Sequence, residues 1–112
     1  MKEITKKKKA KARLLEWAIA VKERDNYTCQ ICGGTEYLNS HHVVDKKFKE
    51  FKWDVKNGIT LCAGCHKFKF LSAHLNPLWF VLWFAKKNPE RYMFLQEKVK
   101  VKIKADKRKE IK

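Results

Sequence analysis

The sequence predicts an α+β fold: a two-stranded antiparallel hairpin and a helix, stapled by four cysteines and flanked by one N-terminal and two C-terminal helices. Three observations carry that expectation. Cys29 and Cys32 form one pair with two residues between them, Cys62 and Cys65 form another, and 29 residues separate the pairs. Between them lie two stretches of strand length, Leu38 to Val44, rich in apolar and His residues, and Ile59-Thr60-Leu61. Outside them, apolar residues recur at helical spacing. With 112 residues, 45% of them hydrophobic, the chain is long enough for one modest core and short enough to need a staple.

In chain order, Leu14, Leu15, Ala18, Ile19 and Val21 recur on a helical stripe between about Lys9 and Arg24, among good helix formers and without Gly or Pro. The Cys29 to Gly34 segment ends in paired glycines and suits a tight metal-binding turn. The lysine-rich stretch Asp45 to Lys56 reads as a loop or short helix, and Asn57-Gly58 as a turn from which the second strand returns. A helix is expected from His66 to about Ser72. Asn76-Pro77 and Asn88-Pro89 each present Asn as an N-cap and Pro at the first helical position. The first of these helices, about Leu78 to Lys87, is apolar on every side as far as Ala85. In the second, Tyr92, Leu95, Val99 and Ile103 share a helical face, although Val99 to Lys104 also alternates as a strand would.

Charge is concentrated at the ends. Lys and Arg number 27 against 12 Asp and Glu, a net +15, which suits a polyanionic partner and makes nucleic acid the first expectation. Residues 1–13 hold seven basic residues and one acid, residues 86–112 eleven and four, and the 72 residues between are nearly balanced. These ends read as basic arms, 1–23 and 76–112, around a core motif at about 24–75 of a single domain spanning 1–112. No 18-residue apolar run and no secretion-type apolar stretch is present, so an intracellular, membrane-free protein is expected.

In a reducing compartment four cysteines are metal ligands before they are disulfides. Two Cys-x-x-Cys knuckles can surround one zinc ion with a tetrahedron of thiolates, a closed and therefore structural site. Such a site would bring distant segments together. His41 and His42 precede the lysine-rich loop, Asn57 follows it, and His66 directly follows Cys65, so the four can converge on one strand-strand-helix unit.

Here the sequence resembles the HNH endonucleases, whose active site is the ββα-metal fold. The resemblance runs from Arg24-Asp25 through Cys29-x-x-Cys32-Gly33, the double His within Leu38 to Val43, and Asn57-Gly58-Ile59-Thr60-Leu61 to Cys62-x-x-Cys65-His66. It implies a metal-dependent endonuclease that nicks or cuts DNA. Carried onto these positions, it makes His42 the general base, Asn57 the residue that steadies the loop and the base, and His41 with His66 the ligands of a catalytic divalent ion, Mg, Mn, Ni or Zn. Neighbouring strand residues point to opposite faces, so His41 and His42 are not expected on one ion, although both can flank one phosphate at a strand end. The second ring nitrogen of His42 is expected to bond a backbone carbonyl in the loop that Asn57 organises. Phe70 stands where some relatives carry a second helix histidine, which leaves His66 as the helix's one ligand or brings in His74.

Lys46, Lys47, Lys49, Lys52 and Lys56, interleaved with Phe48, Phe51 and Trp53, are expected to grip backbone phosphates of DNA, double-stranded and with weak sequence preference. By analogy, a freestanding domain of this kind fits the cytoplasm of a bacterium or a phage-infected host. Two further readings are a zinc-stabilised nucleic-acid-binding module without catalysis, and an adaptor or homodimer that uses the apolar 78–85 helix with Trp79 and Trp83 as anchors.

Overall fold

The fold is that of a computed structural model in which residues 2–111 are described, with side chains from 5 to 109. Helix α1 (Lys2–Arg24) extends well before the apolar stripe that begins at Leu14, because nothing in the lysine run breaks a helix. Its end is sharp. Asn26 and Tyr27 adopt left-handed conformations, φ 56° and 49°, and the Tyr27 amide donates to the Lys22 carbonyl at 2.8 Å, turning the chain into the first cysteine knuckle.

Strands β1 (Leu38–His42) and β2 (Gly58–Cys62) pair antiparallel, with Ser40 opposite Thr60, His41 opposite Ile59 and His42 opposite Gly58. Directly opposed residues share a face, so this register sorts the whole sheet. One face carries Ser40, His42, Gly58 and Thr60 toward α1, where the Ser40 hydroxyl donates to the Ala18 carbonyl at 2.7 Å and Trp17 stacks on His42. The other face carries His41, Ile59 and Leu61. Ile59 and Leu61 join Phe51, Phe80, Phe84, Leu95, Cys29 and Cys65 in the main core.

The strands are not joined by a tight Asn57-Gly58 turn as the sequence suggested. Residues 43–57 link them, and they contain the short helix α2 (Lys49–Lys52) and a 3-10 turn (Val55–Asn57) whose last residue is Asn57. After β2, the helix expected from His66 to Ser72 is replaced by a π-helical turn over Gly64–Phe68 and a bend that brings the chain back. The amides of Ala73 and His74 donate to the carbonyls of Cys65 and His66 at 2.9 and 3.0 Å, so residue 74 lies beside residue 66.

Helix α3 (Pro77–Lys87) starts as its sequence predicts, with the Trp79 amide donating to Asn76 Oδ1 at 3.2 Å. Phe80 and Phe84 are buried, and Trp79 and Trp83 pack partly against the core, so the residues left exposed on this apolar helix are Leu78, Val81 and Leu82 rather than the two tryptophans. Helix α4 (Pro89–Ile111) continues through the alternating Val99 to Lys104 stretch. It buries Leu95 and leaves Val101 and Ile103 exposed, which resolves the competing strand pattern as helix with Ile103 off the packed face. Among the described residues no helix is long and apolar enough to cross a membrane.

Polar fastening concentrates around Gly58. The Arg24 guanidinium donates to both oxygens of Asp25 at 2.9 Å and to the carbonyls of Val55 and Gly58 at 2.7 Å, while Arg91 from α4 donates to the same Gly58 carbonyl at 2.9 Å. Asp25 also accepts the Thr60 amide at 2.9 Å. Burial alone would raise the Asp25 carboxyl, but the Arg24 and Thr60 hydrogen bonds outweigh it and hold it below the usual carboxylate range. Gly58 itself is a place of close approach: a Cβ there would stand 2.7 Å from Trp17 Cζ2 and collide with Val21 Cγ2. Both neighbours are rigid and buried, so Gly58→Ala is expected to cost about 1–3 kcal/mol through overpacking, measured as a lowered midpoint of urea unfolding. A midpoint equal to that of the wild type would contradict this packing of α1.

Candidate metal centres and catalytic cleft

The first centre is the cysteine cluster. In the first knuckle the Gly33 amide donates to the Cys29 carbonyl and the Cys29 amide to the Gly34 carbonyl, at 2.9 and 2.7 Å. That turn requires Gly33 at φ 79°, a conformation glycine adopts without strain. The second knuckle leaves β2 at Cys62 and enters the π-helical turn. The four sulfurs all lie within 4.8 Å of one another, with Cys32 and Cys62 Sγ 3.6 Å apart. Thiolates about 2.3 Å from one ion in a tetrahedron stand roughly 3.8 Å from each other, whereas a disulfide requires about 2.05 Å. The cysteines are free, and their geometry fits a zinc site.

Their electrostatics fit as well. Burial acts to raise the Cys29 thiol, yet backbone amides of Cys32, Cys62 and Ile31 overcome it and bring the group down to about 7. Cys65 is pushed up, first by burial and then by the neighbouring sulfurs. Four thiols this close resist ionising together, and a divalent cation at their centre removes that conflict.

The second centre is built from imidazoles. His41 projects from the core-side face of β1, His66 from the π-helical turn and His74 from the returning bend, and one ring nitrogen from each lies within 4.8 Å of the others. The Nε2 atoms of His66 and His74 are 3.1 Å apart, within the roughly 3.0–3.4 Å spacing of two imidazole nitrogens bound to one ion. Phe80 meets His41 edge-on, with ring centroids 5.2 Å apart, and backs the group from α3. Burial, followed by the neighbouring rings, pushes His41 down to about 3, and burial with His74 and Lys67 pushes His66 down to about 4. Both rings are therefore neutral near pH 7 and keep the lone pairs a metal ion needs.

His42 stands on the opposite face and is held differently. Its ring stacks on Trp17 with centroids 3.8 Å apart and planes within 7°. Its Nε2 lies 3.0 Å from the Lys52 carbonyl. A carbonyl oxygen only accepts, so Nε2 carries the proton and Nδ1 keeps its lone pair. The expected backbone carbonyl is thus present, in the loop that Asn57 organises. Asn57 is fully buried: its Oδ1 accepts the Val44 amide at 2.8 Å, and its Nδ2 donates to the carbonyls of Val44 and Phe51 at 2.9 and 3.1 Å. It ties the two ends of the 43–57 connection together and holds the Phe51 carbonyl, one residue before Lys52.

Despite their opposite faces, His41 and His42 line one cleft of about 270 Å³ at the end of β1, together with His66, His74, Asp45 and Lys46. The family model described as HNH endonuclease matches residues 29–69, the segment that holds both cysteine knuckles, the double histidine, Asn57 and His66. That segment is similar to the HNH endonucleases. No curated protein and no solved structure matches the chain.

His74 lies beyond the matched segment, and the sequence leaves open whether it joins His66; the structure brings the two together. On a regular helix residues 66 and 74 would not face each other; the π-helical turn and the bend after it bring them together. Lys67, which also lines the cleft, was missed because it sits among histidine and phenylalanine rather than in the lysine-rich loop. Of the five loop lysines, Lys46 reaches the cleft. Lys47, Lys52 and Lys56 lie over the rings of Phe48, Trp53 and Phe94, and Lys49 is exposed at the start of α2. Trp17 falls inside the predicted first helix, and nothing in the sequence ties it to His42; the structure stacks the two rings.

Because the cysteine cluster links the β1–β2 unit to the segment carrying His66, stripping a bound zinc ion with a strong chelator is expected to unfold the protein. The binding free energy of such sites, on the order of 10 kcal/mol, rivals the stability of a small domain. Circular dichroism should show loss of cooperative melting, restored by zinc; a chelated protein melting as before would show that the cluster is not a staple.

Proposed function

We propose that this protein is a metal-dependent endonuclease that hydrolyses phosphodiester bonds in double-stranded DNA, with His42 as the general base. The observation that carries the reading is one cleft shared by a tautomer-locked imidazole and three clustered imidazoles. The HNH match and the strongly basic chain support nucleic acid as the substrate.

In this reading His42 Nδ1 takes the proton of the attacking water while Nε2 keeps its own, donated to Lys52. Burial is the main effect on the ring and lowers its pKa, so it is uncharged at neutral pH and able to accept. The Lys52 carbonyl and the Asp45 carboxylate act the other way and stabilise the imidazolium once it forms, against the opposing charges of Lys46 and Lys52. Trp17 and Asn57 hold the ring and its carbonyl partner in place, positioning roles that limit the reorganisation needed at reaction. His41, His66 and His74 would hold the divalent ion, which when bound supplies neutralising charge to the non-bridging and leaving oxygens of the scissile phosphodiester. An all-imidazole donor set favours Mn, Co, Ni or Zn over Mg. Lys46 and Lys67 at the cleft, with Lys47, Lys49, Lys52 and Lys56 around it, would contact phosphates, which orient a strand without reading its bases.

Supercoiled plasmid incubated with the protein and Mn or Mg tests the reaction. His42→Ala is expected to cut at least about 100-fold more slowly while still binding DNA, since general-base help is worth about 100- to 10,000-fold; cutting at the wild-type rate would reject the mechanism. His74→Ala is expected to raise the ion concentration for half-maximal cutting by roughly tenfold or more, at least as much as loss of a partner outside the ligand set. Identical metal dependence in the two proteins would make His74 a bystander.

A further inference from the structure

We infer that the N-terminal half of α1 is a phosphate-binding arm for duplex nucleic acid, anchored on the general-base side of the cleft. The inference rests on the nuclease reading for the class of its partner. Its starting point is the order of contacts along α1. Going back from Arg24, which holds Val55 and Gly58, the helix fastens through Trp17 Nε1 to the Asp54 carbonyl at 2.8 Å and through Arg13, whose guanidinium lies 4.5 Å from the centre of the Trp53 ring. Residues 5–13 are all exposed, so the helix continues outward from the body.

That segment holds Lys6, Lys7, Lys8, Lys9, Lys11 and Arg13 with no acid among them. Like charges three and four residues apart on a helix repel, and cations near an N-terminus oppose the helix dipole. Residues 5–13 carry no large apolar side chain, so this stretch has no face to bury in a core or to lay on a lipid surface. A polyanion along the arm reverses both unfavourable terms at once.

Placement connects the arm to the chemistry. Lys6, Lys9, Arg13 and Trp17 follow one another at spacings of three or four and share a helix face. Trp17 is the residue stacked on His42. From Trp17 to Lys6 the helix rises about 16 Å, and a duplex presents one phosphate charge per roughly 1.7 Å of its axis, so a duplex entering at His42 runs beside several phosphate-binding positions. The end of α4 leaves past the same segment of chain: Lys98 pairs with Asp54 at 2.9 Å and Lys102 with Glu50 at 3.0 Å, and residues 103–109 beyond them are exposed. Along residues 50–58 the contacts of α1 (Arg24, Trp17, Arg13) and of α4 (Arg91, Lys98, Lys102) therefore run in opposite chain order, each leading toward its basic end.

The test compares two variants of equal charge in the His42→Ala background, where cutting does not interfere. Lys6→Gln/Lys9→Gln alters the arm, and Lys86→Gln/Lys87→Gln alters exposed lysines at the end of α3. Binding to a short labelled duplex is followed by fluorescence anisotropy over a range of salt, with circular dichroism verifying the fold of each variant. The arm variant is expected to lose up to about 2 from the slope of log K against log salt and to bind roughly tenfold or more weakly near 0.1 M salt, and the α3 variant to change much less. Equal losses in the two variants, or none in the arm variant, would overturn the inference. So would binding of the parent protein to equimolar phosphatidylserine–phosphatidylcholine vesicles without binding to the duplex. Failure of the wild type to cut DNA with any divalent ion would instead reject the nuclease reading and leave the binding comparison intact.

Discussion

The pleat of a two-stranded sheet sends neighbouring side chains to opposite sides, and in this protein the neighbours are His41 and His42. The register that puts His42 opposite Gly58 and His41 opposite Ile59 assigns one imidazole to the α1 face and the other to the core face. Each face then provides a different chemical environment. Toward α1 the ring finds an indole to stack on and a carbonyl to hold one nitrogen. Toward the core it finds two more imidazoles and the edge of Phe80. Because both sit at the end of the strand, the two environments open into one cleft. A one-residue slip of register would exchange the faces and bring both environments to the wrong ring.

Several buried polar groups serve that register. Asn57 bonds both ends of the connection between the strands, and Asp25 accepts the Thr60 amide on the α1 side of β2. Arg24 and Arg91 converge on one carbonyl, that of Gly58, the residue paired with His42. Gly58 has no side chain because Trp17 and Val21 occupy the space it would need. Polar contacts are dense around the His42 face, while the His41–His66–His74 cluster draws on a bend in which the Ala73 and His74 amides donate to the Cys65 and His66 carbonyls. The cysteine cluster joins these parts, since Cys62 ends β2 and Cys65 precedes His66 by one residue.

Much of this was legible in the residues themselves. The cysteine spacing, the double histidine and the Asn-Pro helix starts are local signals, and each corresponds to a local feature: a knuckle, a strand end, a capped helix. The carbonyl partner of His42 followed from the need to hold one ring nitrogen. The chain after Cys65 departs from the predicted helix because the absence of a breaker is a statement about propensity, whereas the clustering of the Cys62 and Cys65 sulfurs with the first knuckle goes with a tighter path. Asn57-Gly58 departs from the predicted tight turn for a related reason. Its Asn is used for buried hydrogen bonds and its Gly for close packing, two roles that leave the same dipeptide signature as a hairpin turn.

By itself, then, the sequence determined the α+β composition, the cysteine knuckles, the opposite facing of the two histidines and the concentration of basic residues at both ends, because all of these depend on spacing along the chain. Tertiary structure alone decided that His74 joins His41 and His66, that Trp17 lies against His42, and that Lys67 and Lys46 share the cleft. Those contacts join residues whose separation in sequence carries no periodic signal. They arise when helices and bends pack around a sheet already in register, and neither propensity nor spacing encodes that packing.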